Sequence, residues 1–286
     1  MKYAVVGGDA RSARLCELLT RGGNRVYCYA LEKAEIAGET GKAGCLQGCV
    51  YGADCVVLPV PAESGGVLNT PLSDNTLTMR EVLGALWPGQ TVIGGRFCEE
   101  SCVLAQKAGL HIEDILLRPE LAFANAAITA ECAVARLIEA SDKSLYKSRV
   151  LICGMGRIAR QLAVRLRAMG VDVTIAARSR RDRAEASAYL LHALDYTALE
   201  SELASFHFVV NTVPARVLTD AMLCMLSEDA VIMELASPPG GFDRTLAENI
   251  GLKTLYAPGL PGKMAAYSAA EEICRAVYDI MREQEE

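Results

Sequence analysis

The chain has 286 residues, a formal net charge of −6, 51% hydrophobic residues and 6% aromatic ones. That length predicts two domains with apolar material for two cores, and the acidic balance argues against a sequence-independent nucleic-acid binder. No uninterrupted apolar run approaches membrane-spanning length, and MKYAVVGGDAR at the amino terminus reads as a first strand rather than a signal peptide, so a cytoplasmic protein is expected.

The first half alternates strands and helices: a strand at 3–6, a helix at 12–21, strands at 25–29, 55–60 and 90–93, and a helix at 99–108 closed by Gly109. This pattern predicts a parallel sheet. Its first turn, Gly7-Gly8-Asp9-Ala10-Arg11, lacks a third glycine and sets an acid where phosphates would lie, so it fits a substrate or structural role better than a dinucleotide. Asp9 is equally suited to cap the following helix. A long helix is predicted over 119–140, with Pro119 near its start. The polar break at 141–147 marks the expected boundary, with an α/β substrate or partner domain at 1–142 and a cofactor domain at 143–286 that ends in a helix over about 264–282.

The stretch from Arg149 to Arg181 carries the clearest chemistry. Val150, Leu151, Ile152 and Cys153 form a buried-strand run, after which Gly154, Gly156 and Ala159 fit G-x-G-x-x-A. Gly154 permits the tight turn, Gly156 lets the backbone approach a pyrophosphate, and Ala159 lets helix and strand pack closely. The helix opening around Met155, Arg157 and Ile158 offers unpaired N–H groups to phosphates, with an apolar face expected at Ile158, Leu162, Leu166 and Met169. A second strand is predicted at 171–177. An NAD site usually places a carboxylate after that strand to accept from the ribose 2′-OH. Here stand Arg178, Ser179, Arg180 and Arg181, cations suited to a 2′-phosphate, and the expected cofactor is NADP.

Further strands at 208–211, 231–235 and 254–256 end in three loops rich in Pro and Gly. The first is Asn211-Thr212-Val213-Pro214, the second contains Ser237 and the third contains Gly259. Such loops at the carboxyl ends of parallel strands sit at the height of a nicotinamide ring, although turn chemistry alone also produces them. The expected fold is α/β, with two Rossmann-like parallel-sheet domains linked by a long helix and a cleft between them for cofactor and substrate. The 11 cysteines are read as thiols; Cys28, Cys55, Cys132, Cys153, Cys224 and Cys274 lie in apolar runs and are expected in the core. No metal site is expected, because Cys45/Cys49 and Cys98/Cys102 have no histidine close by in sequence.

VVGGDAR at the start, LPV at 58–60, GMGRIA, NTVP, ELASPPGGFD and LYAPGLPG together resemble the A subunits of dipicolinate synthase over nearly the whole chain. The second domain by itself also resembles the cofactor domains of shikimate dehydrogenase and glutamyl-tRNA reductase. The first resemblance implies NADP-dependent oxidation of dihydrodipicolinate to dipicolinate (pyridine-2,6-dicarboxylate) during sporulation, together with a flavoprotein-like B subunit. The protein is also expected to be a homo-oligomer. The dicarboxylate needs cations or N–H donors, for which Arg11, Arg96, Arg118 and Lys263 are candidates; Asp9, Asn125, Thr129, Ser237 and Gly259 complete the candidate substrate contacts. Glu131 and Asp243 are the candidate proton acceptors, and Lys263 is grouped with them as catalytic. The chain departs from the family pattern at Ile128 and Cys132, where Pro and Gly are expected, at Pro238, where Arg is expected, and at Ala266-Tyr267, which replaces Pro-Lys. Two other readings are an NADP reductase of the shikimate dehydrogenase or glutamyl-tRNA reductase type, and a non-catalytic NADP-binding regulatory subunit.

Overall fold

A computed structural model describes residues 1–284 of the chain. It divides into two compact units, one made of residues 1–125 with the chain from Pro261 onward, the other of residues 126–260.

In the first unit, strands β1 (Lys2–Val6), β2 (Arg25–Tyr29), β3 (Gly41–Lys42) and β4 (Cys55–Val57) are followed by a hairpin of β5 (Glu63–Ser64) and β6 (Val67–Leu68), then by β7 (Thr91–Gly94) and β8 (His111–Asp114). The sheet is parallel in the order β3-β2-β1-β4-β7-β8. Its connections carry α1 (Ala10–Arg21), α2 (Leu46–Val50), α3 (Met79–Gly84) and α4 (Glu99–Lys107), and α5 (Pro119–Glu139) leads into the second unit. There β9 (Arg149–Cys153), β10 (Asp172–Ala176), β11 (His192–Leu194), β12 (Phe208–Asn211), β13 (Val231–Glu234) and β14 (Lys253–Tyr256) form a second parallel sheet, ordered β11-β10-β9-β12-β13-β14. Between them lie α6 (Arg157–Ala168), α7 (Arg180–Ala188), α8 (Tyr196–Leu199), α9 (Asp220–Cys224) and α10 (Arg244–Asn249), and α11 (Leu260–Met264) and α12 (Ala266–Glu283) end the chain.

Both sheets share the doubly wound order in which the strand direction of travel reverses beside the first strand, which opens a crevice at its carboxyl end. The central strands are apolar on both faces because helices cover both: β4, β7, β12 and β13 are buried at every position. Edge strands β8 and β14 carry His111, Glu113, Asp114 and Lys253, and β11 opens on exposed His192. Along α6 the buried residues are Ala159, Leu162, Ala163 and Leu166, the i, i+3, i+4, i+7 stripe of an amphipathic helix. The face is turned from the expected one: Met169 is 39% exposed and lies past the helix end.

Three expectations are corrected. The last helix does not belong with the second unit. Its buried stripe, including Ala270, Ile273, Val277 and Ile280, joins Leu15, Cys16 and Leu19 of α1 in one apolar cluster under the first sheet. Tyr278 Oη accepts a hydrogen bond from Asn24 Nδ2 at 3.0 Å, and Glu283 pairs with Arg118. Second, α5 is long and apolar enough to cross a membrane by length and composition, contrary to the reading of the sequence; its Ala126, Ala130, Ala133 and Leu137 are buried, as in a core helix. Third, Cys224 is exposed, since it closes a short helix at its solvent side. The placement of α12 has a measurable consequence. Ile280→Ala is expected to lower stability to urea unfolding by about 2–5 kcal/mol, the usual loss for emptying a buried isoleucine site; a change below about 0.5 kcal/mol would show that α12 does not complete this core.

Candidate functional site

At the carboxyl end of β9 the backbone turns at Gly154, whose φ of +98° favours glycine. Its N–H donates to the Ala176 carbonyl at 2.8 Å, fastening the turn to β10. A methyl group on Gly154 would lie 2.8 Å from both Thr212 Oγ1 and Val213 Cγ2, so the residue also allows the loop after β12 to close against the turn. Thr212 Oγ1 in turn donates to the Cys153 carbonyl at 2.8 Å. Burial pushes the Cys153 thiol up to about 12, which leaves it a neutral packing group. Met155 and Ala159 are buried, and Ile158 is half-buried. Gly156 is the N-cap of α6, with no side-chain cap and with open space where a side chain would stand. The start of a three-turn helix thus stands beside open space, and its first unpaired N–H groups suit the pyrophosphate of a dinucleotide.

On the β10 side of this turn stand the cations. Arg178 follows the strand, Ser179 caps α7 by accepting from the Asp182 N–H, and Arg180 opens that helix. Arg157, Arg178, Arg180 and Arg181 are exposed, and among the described residues none has an ion-pair partner. Arg183 is different. Its guanidinium donates to the carbonyls of Ala177 (2.6 Å) and Arg178 (2.7 Å) and pairs with Asp195 at 2.7 Å, so it fixes the backbone that presents Arg178. Sequence reasoning did not single out Arg183; only the three-dimensional proximity of β11 reveals its role.

On the β12 side, the strand neighbours Asn211 and Glu234 are both buried. Glu234 Oε1 accepts from Asn211 Nδ2 at 2.7 Å and from the Ala236 N–H at 2.9 Å, and Oε2 accepts from the Gly241 N–H at 2.7 Å. Burial raises the Glu234 carboxyl above its ordinary range, opposed by these three donors. Nearby, a cavity of about 460 Å³ is lined by Arg216, Pro238, Phe242, Asp243, Arg244 and Tyr256 among others. Asp243 caps α10 by accepting from the Leu246 N–H at 3.0 Å, and Arg216 Nη2 lies 3.9 Å from its Oδ2. Arg244 stacks on the Tyr256 ring at 5.0 Å. Ser237 is half-buried in the loop between, and Pro214 is exposed.

In the first unit the corresponding turn is filled by the chain itself. Gly7 and Gly8 have φ of +71° and +108°, and the Gly8 N–H donates to the Asn69 carbonyl at 2.8 Å. Asp9 caps α1, accepting from the Arg11 N–H at 2.9 Å, and the Arg11 guanidinium pairs with Asp9 at 2.7 Å while also donating to the Val60 carbonyl. A methyl group on Gly262 would come within 2.7 Å of Asp9 Oδ2, so α11 lies directly on this pair. Arg118 is paired with Glu283 and Glu120, which occupies the charge proposed for substrate.

The other candidates are spread along the chain. Arg96 is exposed in left-handed backbone (φ +58°), and its N–H donates to Asp114 Oδ2 at 2.8 Å. Lys263 is exposed within α11, and Gly259 is exposed just before it. Asn125 is half-buried and Thr129 buried on α5. Glu131 is 68% exposed and pairs with Arg165 of α6 at 3.2 Å, the arrangement of a helix-surface acid.

Residues 2–116 match the model of the N-terminal domain of the dipicolinate synthase A subunit, and residues 123–236 match that of the NAD binding domain of D-isomer specific 2-hydroxyacid dehydrogenases. The chain is 28% identical over 290 residues to the A subunit of dipicolinate synthase from Bacillus subtilis (strain 168), covering 99% of this chain and 96% of that protein. The crystal structure of the dipicolinate synthase A chain from Bacillus subtilis aligns with a TM-score of 0.84 at 26% identity, over 99% of this chain and 96% of that one. The structure of its counterpart from Bacillus halodurans gives the same TM-score at 23% identity, over 98% and 97% of the two chains, a likeness of fold. The second unit therefore contains a Rossmann-type NAD-binding domain, and the matches support an NAD(P)-dependent oxidoreductase. From end to end the chain is similar to the dipicolinate synthase A subunit, with residues 2–116 matching the model of that subunit's N-terminal domain and residues 123–236 that of a dehydrogenase-type NAD-binding domain.

Proposed function

We propose that the protein is an NADP-dependent dehydrogenase subunit that oxidises dihydrodipicolinate to dipicolinate, acting with a B-type partner subunit in the cytoplasm of a spore-forming cell. The observation that carries this reading is the similarity to the dipicolinate synthase A subunit along 99% of the chain. The preference for NADP over NAD is supported by Arg178, Arg180 and Arg181, three exposed guanidinium groups where an NAD site has its carboxylate.

When bound, the nicotinamide accepts a hydride, and the ring that loses the hydride and one proton becomes an aromatic pyridine. The driving force lies in that aromaticity, so the residues mainly bind and orient. Gly154 and Gly156 leave room for the pyrophosphate at the start of α6. Asn211, Thr212 and Val213 hold their loop against the turn. Of the two candidate proton acceptors, Asp243 is favoured because it lines the 460 Å³ cavity, whereas Glu131 is spent on a surface pair with Arg165. Ser237, next to that cavity, and Gly259 remain candidate contacts for the acid. Among the candidate cations of the first unit, Arg96 and Lys263 are exposed and without an ion-pair partner among the described residues, and the Nη1 of Arg11 is taken up by neither Asp9 nor Val60.

The test is NADPH formation from freshly prepared dihydrodipicolinate, with and without a B-type partner. Turnover that appears only with the partner present is the expected result. Tight NADP binding with no turnover under either condition would instead identify a regulatory, non-catalytic subunit, and turnover of a different acid would point to the other reductase types.

A further inference from the structure

The loops after β12 and β13, the second of them rich in Pro and Gly, are held together by several polar ties. Asn211 Nδ2 donates to the Val213 carbonyl at 2.9 Å, and its Oδ1 accepts from the Val213 N–H at 3.2 Å. The N–H groups of Val217 and Leu218 both donate to the Gly241 carbonyl, at 2.9 and 3.0 Å. Where these ties meet lies one carboxylate, Glu234, 5% exposed, with Asn211, Ala236 and Gly241 all donating to it. The backbone is shaped around this group. Gly240 has φ +87°, and a methyl there would lie 2.9 Å from Glu234 Oε2; a methyl on Gly241 would overlap the Asn211 amide. From Asn211 the connection continues through Thr212 and Val213 to the Gly154 turn.

We infer that Glu234 is a positioning residue for the nicotinamide half of the cofactor: its buried carboxylate, clamping Asn211 and the N–H groups of Ala236 and Gly241, sets the loop at 211–214 against the fingerprint turn. This rests on the NADP reading of the Gly154 turn. In a doubly wound sheet the dinucleotide crosses the switch point, so an adenosine half beside Arg178 on the β10 side leaves the nicotinamide half to the β12 and β13 loops. A buried acid could be read as a mere filler of space. Three donors on two oxygens argue otherwise: the group must be an acceptor on both sides, and a neutral amide of the same shape necessarily turns an N–H toward a donor. The clamp therefore needs charge, not only volume. Its remoteness from the Arg178 side predicts a selective effect.

The experiment compares Glu234→Gln with wild type in binding NADPH and 2′,5′-ADP, a probe that carries only the adenosine half. Glu234→Gln is expected to raise the Kd for NADPH at least about tenfold, the equivalent of one lost hydrogen bond to a charged group, while the Kd for 2′,5′-ADP stays within about twofold. Equal losses for both ligands, or no loss for either, overturn the inference. Glu234→Asp keeps the charge on a shorter stem and is expected to retain more NADPH affinity than Gln; the reverse ranking overturns the role of charge, and the Asp variant carries the two-ligand comparison if the Gln variant does not fold. If wild type prefers NADH to NADPH, the NADP assignment alone falls, and NADH against ADP then decides the same question. Wild-type protein that binds neither class overturns both readings.

Discussion

Arg178→Glu is expected to weaken NADPH binding by about 100-fold while changing NADH affinity by no more than about threefold. A charge-assisted contact contributes about 1.5–3 kcal/mol, and a tenfold change in affinity corresponds to about 1.4 kcal/mol, so its loss together with a new like-charge contact accounts for the NADPH figure. NADH has no 2′-phosphate and instead gains an acceptor for its 2′-OH. The backbone that carries residue 178 is held independently, by Arg183 bonding the Ala177 and Arg178 carbonyls and pairing with Asp195. The substitution therefore changes the charge presented and leaves the loop in place. Titration of wild type and variant with both reduced nucleotides by fluorescence reads the result, and parallel losses for the two would remove Arg178 from the cofactor site.

The second large effect separates the two fingerprint glycines. Gly156→Ala is expected to keep stability to within about 1 kcal/mol, a shift within the range of helix N-cap exchanges, yet to reduce dinucleotide affinity by about 10–100-fold through crowding worth about 1–3 kcal/mol. Its φ of −75° suits any residue, and nothing in the chain lies near the added methyl; only a bound pyrophosphate would meet it. Gly154→Ala is expected to do damage without any ligand, because its φ is +98° and the methyl would meet Thr212 and Val213 at 2.8 Å. Thermal melts with and without NADPH distinguish the two. A Gly156→Ala protein that binds normally would show that the phosphates do not sit at the start of α6.

Much of this was legible in the sequence because local pattern and tertiary role coincide. The run from Val150 to Cys153 is apolar since helices cover both faces of its strand, and the glycine turn announces itself by spacing alone. Edge strands such as β8 and β11 escaped, since polar, half-exposed residues like His111, Glu113 and His192 carry no buried-strand signature. The placement of α12 also escaped: its amphipathic stripe says that it covers something, but not that the partner is α1, some 250 residues earlier by the numbering. Among site residues, Arg178 was readable from position. The Glu234 clamp was not, because an acid at the end of an apolar strand looks like the first residue of a loop until its three donors are seen. Arg118 shows the opposite failure, a cation that sequence leaves open and Glu283 already neutralises.

The discontinuity of the first unit sets an order for biosynthesis. Residues 266–283 leave the ribosome after the entire stretch 126–260 has been made. The second unit is continuous and can close its core as soon as β14 has emerged, whereas the cluster around Leu15, Cys16 and Leu19 stays uncovered until Ile273, Val277 and Ile280 arrive. The cofactor domain is thus equipped to mature first, while the amino-terminal sheet, although synthesised earliest, keeps an apolar face waiting, the kind of exposed surface that chaperones recognise.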